Sequence, residues 1–166
     1  MANNPKMRWM ISRDFPEVLT IEAHAFPPAH AFTMESLRRT LSQRHTFGTV
    51  VDYQDQVIGY SVYTLRPRSI TLLSLATHPE FYLRGVGHSL IERLTDKLTP
   101  DKRSVIACWV PETWLRAQLF FRAEGFLAVR SAREMFDGED GIRFEFRDPD
   151  HPVSVSSESE SEEVEF

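Results

Sequence analysis

Residues 72–90 read LLSLATHPEFYLRGVGHSL, and this stretch decides the fold class. Its first six residues are mostly apolar and predict a strand, after which two glycines, Gly85 and Gly87, mark a turn. Apolar residues then recur at helical spacing, at Val86, Leu90, Ile91, Leu94 and Leu98. A helix is therefore predicted from the glycine turn to just before Pro100. Because a helix start leaves free backbone N–H groups and glycines allow a close approach to them, the turn should bind an anion, and a phosphate ester fits it best.

Two other phosphate-binding motifs fit this turn poorly. A P-loop needs a lysine followed by Ser or Thr after its last glycine, whereas His88 and Ser89 follow Gly87 here. A dinucleotide-binding turn needs a third glycine, which Leu90 replaces, and its strand begins a parallel sheet. The strand before this turn is instead predicted to end an antiparallel series. Both motifs are therefore disfavoured.

The segments on both sides of this stretch predict an α/β fold with a mixed sheet. Strands are predicted at residues 6–11, 47–53, 57–64, 70–77, 104–110, 126–135 and 142–146, with turns at residues 54–56 and 137–141. Further helices are predicted after Ser12 or Asp14 as far as Phe26, from about Thr33, and over residues 113–124. The order is β-α-α-β-β-β-α-β-α-β-β. Since a strand–helix–strand crossover usually pairs its strands in parallel, residues 70–77 are expected beside residues 104–110.

The net charge of −5 is concentrated after Arg147, where seven acidic residues occur without Lys or Arg. The rest of the chain then has 17 acidic and 19 basic residues. This balance tolerates a polyanionic ligand but lacks the dense basic surface of nucleic-acid-binding proteins. Residues 1–147 are thus predicted to form one domain, and residues 148–166, rich in Ser and Glu, are predicted to form a disordered acidic tail.

Cys108 is the only cysteine, so the chain has no intramolecular disulfide and no cysteine-rich metal site. It lies in an apolar run, and we interpret it as a small buried hydrophobic residue rather than as an acyl carrier. The first residues lack the pattern of a signal peptide, and no apolar run approaches the ~20 residues that span a bilayer. We therefore expect a cytoplasmic protein that uses no metal and binds no membrane.

Residues 82–87, YLRGVG, resemble the Gln/Arg-x-x-Gly-x-Gly/Ala motif of the GNAT acetyltransferases in both glycines and in lying between a strand and a helix. The first position differs, because it is Tyr82. Further stretches resemble GNAT landmarks in their order, namely residues 21–27 (IEAHAFP), 75–79 (LATHP), 120–126 (FFRAEGF) and 138–142 (GEDGI). Together they span about residues 8–147, and they are most similar to the branch of the ribosomal-protein alanine N-acetyltransferases.

The resemblance implies a GNAT-like fold in which two central parallel strands part and acetyl-CoA enters the gap. Leu75 and Thr77, with Ala76 between them, would offer main-chain groups to the pantetheine and the acetyl carbonyl. Backbone amides would hold the pyrophosphate, and these belong to Leu83, Arg84, Gly85, Val86, Gly87 and His88. A primary amine, on a peptide N-terminus or a small molecule, would then attack the thioester directly. The loops near residues 27–33 and 135–141 would choose this acceptor.

The sequence departs from the family at positions that carry proton transfer. Phe121 stands where the family has a tyrosine as general acid, Trp109 where it often has a glutamate, and Trp114 where an asparagine often meets the cofactor. No general acid or base is therefore assigned. His24 and His30 lie around the Pro-Pro loop, where they could touch the acceptor, and we interpret them instead as solvated loop residues without a role. An active N-acetyltransferase is the leading hypothesis. A catalytically silent acyl-CoA-binding sensor or regulator is the second, and a nucleotide-binding regulatory module is the third.

Overall fold

A seven-stranded mixed sheet with helices on both faces organises the protein. The computed structural model describes residues 4–99 and 101–149. Its strands are β1 (Lys6–Trp9), β2 (Thr46–Tyr53), β3 (Gln56–Leu65), β4 (Ser69–Thr77), β5 (Val105–Pro111), β6 (Leu127–Phe136) and β7 (Glu139–Arg147). Its helices are α1 (Phe15–Ala25), α2 (Met34–Leu41), α3 (Val86–Thr95) and α4 (Leu115–Ala123). The sheet order is β1-β2-β3-β4-β5-β7-β6. The predicted fold class and order of elements are confirmed.

β4 and β5 pair in parallel over only three residues of each strand. The paired residues are Ser69 with Val105, Ile70 with Ile106, and Thr71 with Ala107. Beyond this point β4 stays paired with β3 as far as Thr77, and β5 stays paired with β7 as far as Pro111. The expected parallel neighbours are therefore present, and a gap opens between them toward their C-terminal ends.

A β-bulge at Leu73 lies where the gap begins. Ser74 pairs with Val62 on β3. Leu72 pairs with Tyr63, so Leu73 has no opposite residue on β3. A bulge adds a residue to one strand and bends it, so β4 turns away just after its last residue paired with β5. The sheet remains continuous on either side of the gap.

The two faces of the sheet are covered by different helices. α1 and α2 pack on one face, where the core contains Phe15, Val18, Ile21, Leu37, Val50, Val57, Tyr60, Val62 and Ala76. α3 and α4 pack on the other face, where the core includes Tyr63, Ile70, Leu72, Ile91, Leu94, Ile106, Phe121, Phe126 and Phe144. Alternation along the strands explains this separation, because successive side chains point to opposite faces. The gap between β4 and β5 thus has a buried core on each side.

Several predicted boundaries are wrong by a few residues. β1 ends at Trp9, because the Ile11 amide donates to the Asp14 carboxylate and a 3-10 turn follows. α3 ends at Thr95 rather than near residue 99, because the amides of Lys97 and Leu98 donate three residues back instead of four. α4 begins at Leu115 rather than at residue 113, because residues 111–114 first form a tight turn. Hydropathy patterns do not resolve these short turns.

The β6–β7 hairpin is tighter than the turn predicted over residues 137–141. Phe136 pairs with Glu139, so only Asp137 and Gly138 connect the strands. Both have positive φ angles, 44° and 88°, as in the two-residue turns that match the twist of paired strands. β7 therefore begins at Glu139, and Gly141 lies inside it.

The predicted acidic tail, residues 148–166, lies almost wholly outside the described residues. β7 ends at Arg147, and only residues 148 and 149 of the tail are described. Among the helices that the structure describes, none has the length and hydropathy that a membrane crossing requires.

Candidate functional site

The gap between β4 and β5 is a cleft with mostly apolar walls. It holds about 440 Å³, counting the space open to solvent. The lining residues are Phe26, Leu72, Leu73, Ser74, Leu75, Cys108, Trp109, Val110, Trp114, Ala117 and Phe121. Along the cleft the two strands do not pair with each other, so their facing edges can hydrogen-bond to an extended ligand. The cleft thus suits a narrow chain inserted between the strands.

Leu75, Ala76 and Thr77 form the β4 edge that runs from the cleft toward the glycine turn. On their other side they pair with β3, at Ser61, Tyr60 and Gly59. Leu75 lines the cleft, whereas the Ala76 side chain is buried in the core with α1 and leaves only main-chain groups for a ligand. The structure thus brings these three residues to the edge of the gap, and their contact with a cofactor stays a prediction.

The turn before α3 presents six backbone amides without a protein acceptor. Within the described part of the chain, the N–H groups of residues 83–88 donate to no protein group. The Gly85 carbonyl accepts the Ser89 amide at 3.0 Å and so begins the helix. Leu83 and Gly85 have positive φ angles of 60° and 79°, a conformation that lets neighbouring amides converge. These amides lie at the positive end of the helix dipole and are free to hydrogen-bond a ligand, and the binding of a phosphate here stays a prediction.

The two glycines of the turn are needed for different reasons. Gly85 has open space where a Cβ would stand, and its left-handed φ of 79° is what favours glycine. A Cβ on Gly87 would lie 2.9 Å from Cε2 of Phe120, an aromatic residue of α4. The interpretation that Gly87 lets a phosphate come close to the main chain is therefore incomplete. The absence of a side chain at Gly87 also makes room for Phe120 of α4.

Two arginines lie beside this turn, each over an aromatic ring. The Arg84 guanidinium is 5.3 Å from the centroid of Phe81. The Arg116 guanidinium is 5.3 Å from the centroid of Tyr82, the residue at which the motif departs from its family pattern. Tyr82 thus holds a cation from α4 next to the turn. Arg116 is not among the residues predicted from the sequence, and no local pattern marks it.

His88 contributes a backbone amide to the turn and directs its ring toward α4. Its Nδ1 is 2.8 Å from Oε2 of Glu124, and its Nε2 is 3.6 Å from Oε1 of Glu92. The hydrogen bond and the charge of Glu124 raise the pKa of His88 above its ordinary value. The imidazolium form therefore links α3 to the end of α4.

Phe121 and Trp109 line the cleft, and neither side chain can act as a general acid or base near neutral pH. Phe121 is 8% exposed, and its ring centroid lies 5.1 Å from that of Phe126, so it also belongs to the core under α4. The Trp109 ring contacts two guanidiniums, those of Arg130 at 5.2 Å and Arg143 at 5.9 Å. The positions where the family has an acid and a base are therefore apolar walls of the cleft.

An aromatic wall borders one side of the cleft. Phe26 and Trp114 stack with ring centroids 5.3 Å apart, and the His30 ring meets Trp114 edge-on at 5.5 Å. His30 also lies 5.8 Å from the Phe136 ring. These residues come from the α1–α2 loop, the start of α4 and the β6–β7 hairpin, so the two loops predicted to choose the acceptor meet here. The interpretation of His30 as a solvated loop residue is wrong, because aromatic rings pack against it.

Neither Cys108, although it lines the cleft, nor His24 has the surroundings of a catalytic group. Burial raises the pKa of the Cys108 thiol to about 12, so the reactive thiolate does not form near neutral pH. His24 is exposed on α1, with its Nδ1 2.8 Å from the Thr20 carbonyl of the same helix. In residues 4–99 and 101–149, no group of three or more His, Cys, Asp or Glu side chains is arranged to hold a metal ion.

Glu22 is the centre of a buried polar cluster that the sequence interpretation missed. It is 1% exposed, and it lies on α1 next to the buried Ile21. Its Oε1 accepts hydrogen bonds from the hydroxyls of Tyr60 and Ser74, and its Oε2 accepts one from the Phe32 amide at 3.0 Å. Burial and the charge of Glu22 raise the pKa of Tyr60 well above its ordinary value. An acid on the apolar face of a helix is the sequence signal that could have revealed this cluster.

Comparison with known families identifies one that spans most of the chain. The family model described as "Acetyltransferase (GNAT) domain" matches residues 17–146. A comparison with curated proteins gave no match.

Solved structures of acetyltransferases share this fold at low sequence identity. The ribosomal-protein-S18-alanine N-acetyltransferase from Escherichia coli is 20% identical with a TM-score of 0.72, and the match covers 94% of this chain and 98% of that chain. The ribosomal-protein-alanine N-acetyltransferase from Brucella melitensis is 19% identical with a TM-score of 0.68, over 86% and 99% of the two chains. NAA60 from Arabidopsis thaliana, in a structure with acetyl-CoA, is 13% identical with a TM-score of 0.73, over 87% and 98%. At these identities the likeness establishes the fold.

Proposed function

The chain belongs to the GNAT acetyltransferase family, and from this premise we propose that it transfers the acetyl group of acetyl-CoA to a primary amine. The observation that carries the proposal is the continuity of two features of the site. The gap between β4 and β5 leads along residues 75–77 to a turn with six free amides. The extended thioester arm of acetyl-CoA needs unpaired strand edges, and the diphosphate at its other end needs free amides.

Each part of acetyl-CoA has a partner in this arrangement. The pantetheine lies in the gap as an extra strand, against main-chain groups of Leu75 and Thr77. The pyrophosphate accepts hydrogen bonds from the amides of residues 83–88, and the guanidiniums of Arg84 and Arg116 add positive charge. The thioester then lies in the apolar part of the cleft, where the walls exclude water.

The reaction is a direct attack of the amine on the thioester carbonyl in a ternary complex. The C–N bond forms as the C–S bond breaks, and the thiolate of coenzyme A leaves with the electron pair. A main-chain N–H of β4 stabilises the developing oxyanion. Because Cys108 is a neutral thiol, an acetyl-cysteine intermediate is not part of this scheme. Phe121 cannot protonate the thiolate, so that proton comes from the amine itself or from water.

The acceptor that suits the cleft best is the N-terminal amine of a peptide. An ammonium group is attracted to aromatic faces, and Phe26, Trp109 and Trp114 line the cleft. The apolar surroundings favour a small or apolar first residue over a charged one. Two proteins that share the fold are named as ribosomal-protein alanine N-acetyltransferases, which supports this choice. A small amine is the alternative acceptor.

Acetyl transfer is tested with the purified protein, acetyl-CoA and a panel of amines. The panel contains peptides that differ only in their first residue, peptides with a blocked N-terminus and an internal lysine, and polyamines. Release of free thiol measures turnover, and mass spectrometry locates the acetyl group. We expect transfer to free N-termini, fastest with small or apolar first residues. Transfer to lysine side chains or polyamines alone would refute the proposed acceptor.

A catalytically silent acyl-CoA-binding sensor is the second candidate function. The observation that favours it is the pair of apolar side chains, Phe121 and Trp109, at the family's acid and base positions. Calorimetric titration with acetyl-CoA, coenzyme A and ATP separates the candidates. Binding of acetyl-CoA without thiol release in the presence of any amine supports the sensor. Binding of ATP alone supports a nucleotide-binding module and refutes both.

We place the activity in the cytoplasm. Cys108 is a free thiol, which is typical of proteins in a reducing compartment. Detection of the protein in the cytoplasmic fraction of lysed cells checks this assignment.

A further inference from the structure

We propose that Ser74, Glu22 and Tyr60 form a proton relay that deprotonates the acceptor ammonium, with the Ser74 hydroxyl in contact with the amine and Glu22 as the final proton acceptor. This inference rests on the acetyl transfer proposed above. It assigns a base to a chain in which the family's usual position holds Trp109.

The oxygens of the three side chains lie in a triangle within hydrogen-bonding distance of one another. Ser74 Oγ donates to Glu22 Oε1 at 2.6 Å, and the Tyr60 hydroxyl donates to the same oxygen. Tyr60 OH and Ser74 Oγ lie 3.0 Å apart, so either hydroxyl can turn from Glu22 and donate to the other instead. In such a triangle each hydroxyl can reverse its hydrogen bond while its oxygen stays in place. A proton that reaches Ser74 can therefore pass on to Glu22.

Ser74 is the member of the triangle that reaches the cleft. Glu22 is 1% exposed and Tyr60 is 0% exposed, so an amine in the cleft cannot touch either. Ser74 is half-buried and lines the cleft directly after the bulge at Leu73. Phe26, which follows α1 on the same side of the sheet as Glu22, lines the cleft as well. The amine therefore meets the relay at the Ser74 hydroxyl.

Glu22 is a buried carboxylate whose partners are hydrogen-bond donors without charge. Among the described residues, no Lys, Arg or His forms an ion pair with it. The Phe32 amide on Oε2 is explained by its role in holding the α1–α2 loop. The hydroxyls of Tyr60 and Ser74 on Oε1 do not hold this loop, and Ser74 lines the cleft, so these two hydrogen bonds need another explanation.

The steps balance in atoms and charge. The ammonium gives one proton to Ser74 while Ser74 passes its own to Glu22, and Tyr60 turns its hydroxyl toward Ser74. The neutral amine then forms the C–N bond, and the electrons of the C–S bond go to sulfur. A second proton of the nitrogen goes to the thiolate, which yields the amide and the thiol of coenzyme A. After the products leave, Glu22 returns its proton to water through Ser74.

Three variants test the relay in acetyl transfer to a peptide N-terminus. Glu22→Gln keeps the size of the side chain and an acceptor for the Phe32 amide, but it cannot take up the proton. Ser74→Ala removes the hydroxyl at the cleft, and Ser74→Thr keeps it. We expect kcat/KM for the amine to fall about 10²-fold or more in the Gln and Ala variants. The Kd of acetyl-CoA should stay unchanged in all three, and Ser74→Thr should keep most of the activity.

Glu17→Gln is the matched control. Glu17 lies on the same helix, and its Oε2 accepts the Val57 amide at 3.0 Å, but it does not line the cleft. This variant should keep the kcat/KM of the unchanged chain. A lower kcat/KM in Glu17→Gln would show that any loss of a carboxylate on α1 slows the reaction, and the relay would be overturned.

The pH profile separates a relay from a purely structural role. Without a relay, the reaction depends on amine that is already neutral in solution, so Glu22→Gln and Ser74→Ala should regain activity as pH rises. With an acceptor whose amine is neutral at the assay pH, their deficit should disappear. An undiminished deficit with that acceptor would show that the cluster only holds the α1–α2 loop, and would overturn the relay.

Failure of the relay and failure of the proposed function give different results. Folded Glu22→Gln and Ser74→Ala variants that acetylate a peptide as fast as the unchanged chain would overturn the relay alone. An unchanged chain that binds acetyl-CoA but acetylates no amine would overturn the proposed function and the relay with it. Thermal melting of every variant shows that the comparison is made between folded proteins.

Discussion

The proposed pyrophosphate site predicts that His88→Pro weakens acetyl-CoA binding, because proline has no backbone N–H to donate. His88 is the third residue of α3, so its amide has no acceptor inside the helix and the helix itself loses no hydrogen bond. Proline is tolerated in the first turn of a helix for this reason. The matched control is His88→Ala, which keeps the amide but removes the ring and its hydrogen bond to Glu124.

The expected loss corresponds to one charge-assisted hydrogen bond out of the six amides available at the turn. A hydrogen bond to a charged group contributes about 1.5–3 kcal/mol. The Kd of acetyl-CoA should therefore be about tenfold to a hundredfold higher for His88→Pro than for His88→Ala. The buried residues of α3, such as Val86 and Leu90, are the same in both variants, so their melting temperatures should be similar.

Calorimetric titration at fixed ionic strength measures the two Kd values, and circular dichroism checks that both variants fold. A second titration uses acetyl-pantetheine, which lacks the pyrophosphate, and we expect both variants to bind this fragment equally. Equal Kd values of acetyl-CoA for the two folded variants would refute the assignment of the turn to the pyrophosphate. An equally large loss of affinity for acetyl-pantetheine would refute it too.

Glycine substitutions test this turn less cleanly. The Cβ of Gly87→Val would lie 2.9 Å from the Phe120 ring, and overpacking of this kind costs about 1–3 kcal/mol. In Gly85→Val the Cβ would meet no other atom, but the residue would have to keep a φ of 79°, which L residues rarely adopt. A loss of acetyl-CoA binding in either variant would therefore not distinguish a distorted turn from direct obstruction of the ligand.

Phe121→Tyr should raise turnover on a good acceptor by up to about 10²-fold, the lower end of the range for a positioned general acid. The Kd of acetyl-CoA should change little. Unaltered turnover under conditions where chemistry limits the rate would show that the added hydroxyl does not reach the thiolate. Cys108→Ala should keep most of the activity, because burial raises the pKa of the thiol to about 12, and an acetylated Cys108 found by mass spectrometry would contradict this. Glu124 and, more weakly, Glu92 raise the pKa of His88, so the stabilisation from these contacts is complete below the ordinary histidine pKa and is lost as pH rises through the raised value. The difference in melting temperature between the unchanged chain and His88→Ala should shrink over that interval, and a difference independent of pH would count against the imidazolium contact.

The order of strands and helices could be predicted because its signals are local. Helical spacing from Val86 to Leu94 and alternation along the strands involve residues within a few positions of each other. The parallel pairing of β4 and β5 follows from the general rule for strand–helix–strand crossovers. The glycine turn before α3 is local too, because the positive φ of Gly85 and the free amides of α3 belong to one short segment. The short turns at residues 96–99 and 111–114 were missed because they leave no mark on the hydropathy pattern.

The long-range contacts around the cleft and the glycine turn could not be predicted from local patterns. Glu22 meets Tyr60 and Ser74 across 38 and 52 residues of sequence. Gly87 faces Phe120 of another helix, so a glycine that fits a phosphate motif also has a packing role. Each of these contacts joins segments that are far apart in the chain, and a single sequence contains no pattern that pairs them.

The amino-acid pattern was sufficient to predict a mixed α/β fold with a glycine turn before α3, since periodicity and glycine placement act within single elements. The family was indicated separately, by the resemblance of several short stretches to GNAT motifs. The packing of α1 against the sheet settled which polar groups stand at the cleft. In the sequence, Glu22 is not distinguished from the other acidic residues of the helices. In the structure, its side chain is buried between α1 and β4, where it accepts a hydrogen bond from Ser74. Long-range packing of this kind depends on the positions of all the elements together, and therefore appears only when the chain is folded.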